Sequence, residues 1–353
     1  MAYTTIDKPS DYFNTKLYTG NGTAIGSGGL AVTGVGFQPD WVWLKNRTTG
    51  DRSHQVYDVI RGVTKGLKTN STDEENTNSE RLTAFGSDGF TVGNNGDVNT
   101  SGNAYVSWNW KAGTSFTNDA SATGIGTIDS AGSASDASGF SIVSYTGTES
   151  AGTIKHGLSS VPKMIIAKDR DSGSLSWFVG HASLGFTKRL KLDGTNEAAD
   201  NTVWNNTNPT SSVFSVGSSA NANTNGNAII AYCFAEKQGY SKFSSYTGNG
   251  NADGTFVYTG FKPAFIMCKR TDGADDWFLL DNKRDIYNPA NHWLMADLSN
   301  AEQTSPIFFD FLSNGFKNRG TGGGNNASGG TYIYMAFAEN PLVGTNNIPA
   351  TAR

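Results

Sequence analysis

Charge is what this chain has least of. Only 16% of its residues are Asp, Glu, Lys or Arg, against about 25% in an ordinary globular protein, so long solvated helices laced with ion pairs are not its material. The formal net charge of -4 at pH 7 offers no basic stripe to neutralise phosphates, which argues against nucleic acid as a partner. Two cysteines, Cys233 and Cys268, cannot frame a disulfide-stapled fold, and free buried thiols are expected. His54, His156, His181 and His292 stand singly, none with a second metal ligand at a familiar spacing. No apolar run is long enough to span a bilayer, and MAYTTIDKPSDYF lacks the basic patch and apolar core of a secretory signal. We therefore expect no membrane insertion and no export by that route.

Helical periodicity is scarce as well. The best short candidates are RGVTKGL (61–67) and SNAEQT (299–304), where Ser299 and Glu302 have capping-box spacing. In place of helices the chain offers 43 glycines and short runs of Val, Ile, Phe, Tyr and Trp bounded by turn residues, the signature of strands. Alternation is clearest in FSIVSY (140–145) and YIYMAF (332–337).

Those runs recur. YTGNG begins at Tyr18 and again at Tyr246, and YTGT begins at Tyr145. Each is followed by a Gly-(Phe/Leu) pair and then Pro39, Pro162 or Pro263, with a lysine six residues on: Lys45, Lys168 and Lys269. Each copy closes on a strand holding Trp110, Phe234 or Phe337, about ninety residues after its tyrosine. Repetition at that period means three homologous units of ordinary domain size.

The fold expected is all-β: three tandem antiparallel β-sandwiches, jelly-roll or lectin-like, with few short helices. A propeller is the competitor, but three units of this length are too few and too long for blades. The boundaries are an N-terminal arm (1–10), repeat 1 (11–112), a small polar linker (113–123), repeat 2 (124–236), repeat 3 (237–341) and a tail (342–353). The linker composition is that of a flexible joint, whereas repeat 2 runs through AEKQG straight into repeat 3, so repeats 2 and 3 should form the stiffer pair. WVWL, MIIA and FIMC, the strands ending in the repeated lysines, are apolar on both faces. Two readings stand: a central strand under a long loop, or packing against a neighbouring copy or subunit, with Trp41 and Trp43 as interface residues.

A residue serving the fold should recur in all three copies, and one serving chemistry in a single competent copy. The recurring residues are fold-making types: Tyr, Gly, Pro, Lys and core aromatics. No nucleophile elbow, Walker loop, HExxH helix or dinucleotide fingerprint is present. STDEENTNSE (71–80) lacks EF-hand spacing and reads as a solvated loop, and DGADDW (272–277) as a turn. We expect no enzyme, no cofactor and no metal. The three lysines are expected to anchor strand ends by salt bridges or to lie along a shared surface.

GFQPDWVWLKNR with DVIRGVTKGL, HGLSSVPKMIIAKDR with HASLG, AYCFAEKQGYSKFSSYTGNG and NASGGTYIYMAFAENP resemble repeats of structural proteins of tailed bacteriophages, particularly marine ones, from about Tyr12 to about Pro341. The resemblance implies a virion component, assembled in the host cytoplasm, of tail-fibre or virion-associated type. It supplies no catalytic residues. A long fibre needs an attachment region or shaft, and only about a dozen residues precede repeat 1, so a compact knob, a fibre tip or a head decoration is expected. The leading expectation is a non-enzymatic, tail-associated surface protein for host attachment. The alternatives are a capsid decoration protein, a glycan-binding module using GNNGDVNTSGN (93–103) and RGTGGGNNASGG (319–330), and, last, a polysaccharide depolymerase. Partners expected are other virion proteins, a host glycan or receptor, and further copies of the chain, with a trimer as the closed form.

Overall fold

The computed structural model describes residues 2–349, with the side chains of 305–308 left aside. The chain is all-β: its helices are single turns, and its sheets are antiparallel throughout. Each repeat contributes the same run of four neighbouring strands, a whole sheet in repeat 1 and part of an eight-stranded sheet in repeats 2 and 3. In repeat 1 the order is Phe13–Thr19, Ala104–Trp110, Trp41–Asn46 and Gln55–Asp58. In repeat 2 it is Phe140–Thr146, Ala228–Ala235, Pro162–Asp169 and Phe178–His181. In repeat 3 it is Ser241–Thr247, Thr331–Pro341, Phe261–Arg270 and Trp277–Asp281.

The alternation of side chains along these strands explains why they are apolar on both faces. Val42 and Leu44 point into a cluster closed by Val32, Leu82, Phe90 and Val98 of repeat 1's outer layer. Repeats 2 and 3 have matching outer clusters, built on Ile165 and Ala167 and on Ile266 and Cys268. The intervening residues, Trp41 and Trp43, Met164 and Ile166, Phe265 and Met267, all enter a single central cluster drawn from the three repeats. Every side chain on such a strand is therefore covered, odd positions by one layer and even positions by another.

That shared centre corrects two expectations. Repeat 1 is not a looser partner: Trp41 stacks on Tyr232 of repeat 2 with ring centroids 4.6 Å apart, and Phe13 stacks on Phe337 of repeat 3 at 5.0 Å. Nor are residues 113–123 a bare linker. Thr114–Asn118 is a strand that pairs with Ser130–Ser135, itself paired to Phe140–Thr146, so the segment widens the sheet of repeat 2. A single helical turn follows at Ala120–Thr123, capped by Asp119.

The arm and tail are tied together on repeat 3. Thr345 donates its backbone N–H to Asp7 at 2.6 Å, Tyr3 donates its hydroxyl to the Gly260 carbonyl at 2.9 Å, and Ile6 enters the central cluster. The two helices expected at 61–67 and 299–304 are absent. The first stretch is turn and a two-residue strand, Lys65–Gly66; in the second, Glu302 faces two arginines and does not cap a helix.

Candidate functional site

The thrice-written YTG phrase is a local lock. The tyrosine hydroxyls of Tyr18, Tyr145 and Tyr246 donate to the carbonyls of Val98, Ala222 and Asn325 at 2.8, 2.6 and 2.8 Å, each in the single-turn helix of the same repeat. Burial raises all three hydroxyl pKa values well above the usual range, keeping them protonated donors. The glycines Gly20, Gly147 and Gly248 are required by close approach: a Cβ there would fall onto the carbonyl oxygen of Thr100, Thr224 or Ala327. The residue after each glycine donates its N–H to a fully buried asparagine: Asn21 to Asn99 at 2.7 Å, Thr148 to Asn223 at 2.8 Å and Asn249 to Asn326 at 3.0 Å. This asparagine, three residues before Gly102, Gly226 and Gly329, is a repeated position that sequence reading overlooked.

The repeats are joined in a ring. Glu75 donates its N–H to the carbonyl of Arg170, Ala198 to that of Thr271, and Glu302 to that of Arg47, at 2.8, 2.9 and 2.9 Å. Repeat 1 is thereby linked to repeat 2, repeat 2 to repeat 3, and repeat 3 back to repeat 1. Tryptophan indoles reinforce the first two junctions: Trp177 donates to the Lys68 carbonyl and Trp277 to that of Lys191, both at 2.8 Å. His54 holds the equivalent place at the third. Its Nε2 makes no hydrogen bond of good geometry, although the Met295 carbonyl of repeat 3 lies close enough to favour its protonated form, an influence outweighed by burial, which drives its pKa well below normal.

The repeated lysines are wholly buried and make no salt bridge within their own sheets, which corrects the surface reading. Lys168 donates to the carbonyls of Thr72, Ser172 and Leu175 at 3.1, 3.1 and 3.0 Å, and Lys269 to those of Thr195 and Arg270 at 3.1 and 2.7 Å. Thr72 and Thr195 belong to the preceding repeat, so these two lysines are part of the ring. Lys45 donates to the Asn46 carbonyl at 2.7 Å. Burial lowers all three to about 8, opposed by nearby carboxylates. Pro39, Pro162 and Pro263 lie two residues before the first inward side chain of these strands and are buried. Trp110, Phe234 and Phe337 meet in the central cluster, the last two with centroids 6.1 Å apart. Trp41 and Trp43 are 1% and 0% exposed, so neither is free to bind a shell or another molecule.

Two junctions carry a buried charge network and the third does not. Asp58 and Arg61 pair at 2.5 Å, and Arg61 and Arg170 both reach Glu75. Asp281 and Arg284 pair at 2.6 Å, and Arg284 and Arg47 both reach Glu302. Burial pushes Glu75 and Glu302 upward, but their paired arginines outweigh it and hold both below the ordinary range. The neighbouring repeat completes each network: Tyr232 donates its hydroxyl to Asp58 at 2.7 Å, and the Trp108 indole donates to Asp281 at 3.0 Å. At the repeat 2–repeat 3 junction the same places hold His181, Leu184, Ala198, Thr271 and Met335. Burial pulls His181 down to about 4.

Repeat 3 carries a surface cleft of about 410 Å³, lined by Lys262, Asn282, Asp285, Ile286, Tyr287, Asn288, Phe311 and Glu339. Its loop, from Arg284 to Met295, is longer than the counterparts between Arg61 and Lys68 and between Leu184 and Lys191. Asp285 holds the loop through the backbone N–H of His292 at 2.8 Å and its Nδ1 at 2.5 Å. Asn288 holds it through both backbone groups of Phe311, at 2.9 and 2.8 Å. So braced, the loop presents Ile286 and Tyr287, 72% and 80% exposed. The cleft floor carries a Lys262–Glu339 ion pair at 2.8 Å.

Among the described residues, no group of three or more His, Cys, Asp or Glu is placed to hold a metal. Both cysteines are free and buried. No helix is long and apolar enough to cross a membrane. Residues 8–341 match a family profile described as Domain of unknown function (DUF7483), and the chain belongs to that family. No curated protein and no solved structure matches it.

Proposed function

We propose that this chain is a non-enzymatic structural protein of a tailed-bacteriophage virion, made of three sandwich-like units fused around one core. It is exposed on the particle, associated with the tail, and serves host attachment by holding loops in fixed positions among other virion proteins. One contrast supports this reading: the residues written three times are consumed by the scaffold, whereas repeat 3 adds a longer loop that presents Ile286 and Tyr287 to solvent beside a cleft. A rigid frame with one elaborated unit suits display. The burial of Trp41 and Trp43 removes the feature that favoured a head-decoration role.

The test is direct. Purified virions should contain the chain by mass spectrometry, and gold-labelled antibody should mark the tail at a few to a few tens of sites per particle, a range taken as an order of magnitude for tail components in a closed, symmetric assembly. Absence from virions would overturn the proposal, and label spread over the head would reassign it to decoration.

A further inference from the structure

The geometry points to the cleft of repeat 3 as a binding site for a neutral oligosaccharide, with the Tyr287 ring as the platform and Asn282, Lys262 and Glu339 as the polar groups that read hydroxyls. This deepens the attachment reading and rests on it.

The polar residues of the cleft divide into two sets. Asp285 and Asn288 are occupied, since their side-chain atoms hold the loop through His292 and Phe311. Asn282 is not: the half-buried residue holds nothing in the loop, and because its Oδ1 is sealed from solvent its amide NH₂ is the group left to donate to an incoming hydroxyl. The Lys262–Glu339 pair is about one-third exposed on each side, which leaves a donor and an acceptor facing the same space. Neighbouring donors and acceptors on a fixed frame match the vicinal hydroxyls of a sugar.

Tyr287 and Ile286 supply the other half. A pyranose ring has an apolar face of C–H bonds, and an aromatic ring carries negative potential on its flat face, so the two attract while water is displaced. At 80% exposure the Tyr287 ring is available for such contact. Charge decides between sugar classes. Lys262 is already matched by Glu339 and Asp285 adds a further carboxylate, so an acidic saccharide meets no spare cation while a neutral one meets no penalty. The volume lies within the roughly 300–1,000 Å³ usual for small-molecule sites.

The sister repeats act as built-in controls. Asn282 is replaced by Val59 and Ala182, and Lys262 by Gln38 and Val161, in the same register. The repeat 2 loop turns its large apolar residue, Phe186, inward against Trp204 at 5.9 Å.

The experiment is an array of short neutral hexose and N-acetylhexosamine oligosaccharides probed with the full chain, followed by calorimetry on the best binder. Tyr287→Ala and Asn282→Ala should each weaken binding by about tenfold or more, with thermal unfolding unchanged for the exposed Tyr287 variant. Val63→Ala, in the corresponding loop of repeat 1, should leave binding intact. No binder on the array, binding confined to acidic glycans, or full affinity in Tyr287→Ala would each overturn the assignment. Virion labelling is read separately, so a chain found on the tail that binds no sugar refutes the cleft and spares the structural role.

Discussion

The repeat 1–repeat 2 and repeat 3–repeat 1 junctions differ from the repeat 2–repeat 3 junction in one coordinated way. Two hold a buried Asp–Arg–Glu–Arg chain, whereas the third holds His181, Leu184, Ala198 and Thr271 at the same places. All three nevertheless close through the same backbone hydrogen bond. The charges are therefore not needed to make a junction. They behave as a set, present or absent together, because a buried carboxylate without its arginine costs far more than neither.

The largest effect should come from breaking a set. Arg61→Leu strands the buried Asp58 carboxylate and should cost about 3–5 kcal/mol in urea unfolding. Grafting the whole apolar set into the repeat 3–repeat 1 junction (Asp281→His, Arg284→Leu, Glu302→Ala, Arg47→Thr and Trp108→Met) should cost far less than Arg284→Leu alone. If the graft proves as harmful as the single change, the idea of an exchangeable set fails.

Next in size are positions where the repeats agree. Asn223→Ala leaves the Thr148 N–H and the Ser150 and Gly217 carbonyls without their partner and should cost about 2–3 kcal/mol. Asn99→Ala and Asn326→Ala should cost similar amounts, so a repeat-specific effect would mean that the lock is not shared.

The two kinds of junction should also differ in pH response. Asp297, which accepts the Trp277 N–H at 3.0 Å, is raised by burial and the adjacent Asp276 carboxyl from 3.8 to about 7. Repeat 1 has Asn70 and Ser53 in these places, joined at 3.3 Å; repeat 2 has Asp193 and Ser176. An acid raised in the folded state contributes stability below its unfolded pKa, so that contribution is lost as pH rises from about 4 to about 7. His181 works the other way. Its folded value of about 4 lies below 6.5, so its contribution is present above 6.5 and lost as pH falls to about 4. The two slopes oppose each other in wild type. Asp297→Asn should expose a steeper loss of stability toward acid, measurable by thermal unfolding across pH 4–7, the window these two shifts define; an unchanged profile would contradict the pairing.

The smallest expected effect is at the rim. Arg47→Ala removes a bidentate contact to Glu302 at 2.9 and 2.7 Å, but Arg284 still reaches that carboxylate. A loss of about 1 kcal/mol is expected, reduced by salt.

Much of this was readable from residues alone. The three units, the strands and the two-sided apolar runs follow from short-range pattern, and WVWL, MIIA and FIMC even announced that something had to cover a second face. What covers it is a long-range fact, and nothing in a strand's own sequence names its partner. The buried asparagines were legible at a fixed distance before a repeated glycine. The charge networks were hidden by the rule that fold-making residues occur in all three copies: Asp58, Arg61 and Glu75 have equivalents in one sister repeat only. The cleft was flagged by nothing but the extra length of one loop, which is a weak signal because loops tolerate insertions.

A linear stack of repeats frays from its ends, since the terminal unit has a neighbour on one side only. Here the circle of backbone bonds gives no unit that position. Detaching any one of them uncovers aromatic surface on both others, so unfolding should be a single all-or-none event, and a protease should find either an intact molecule or none of it.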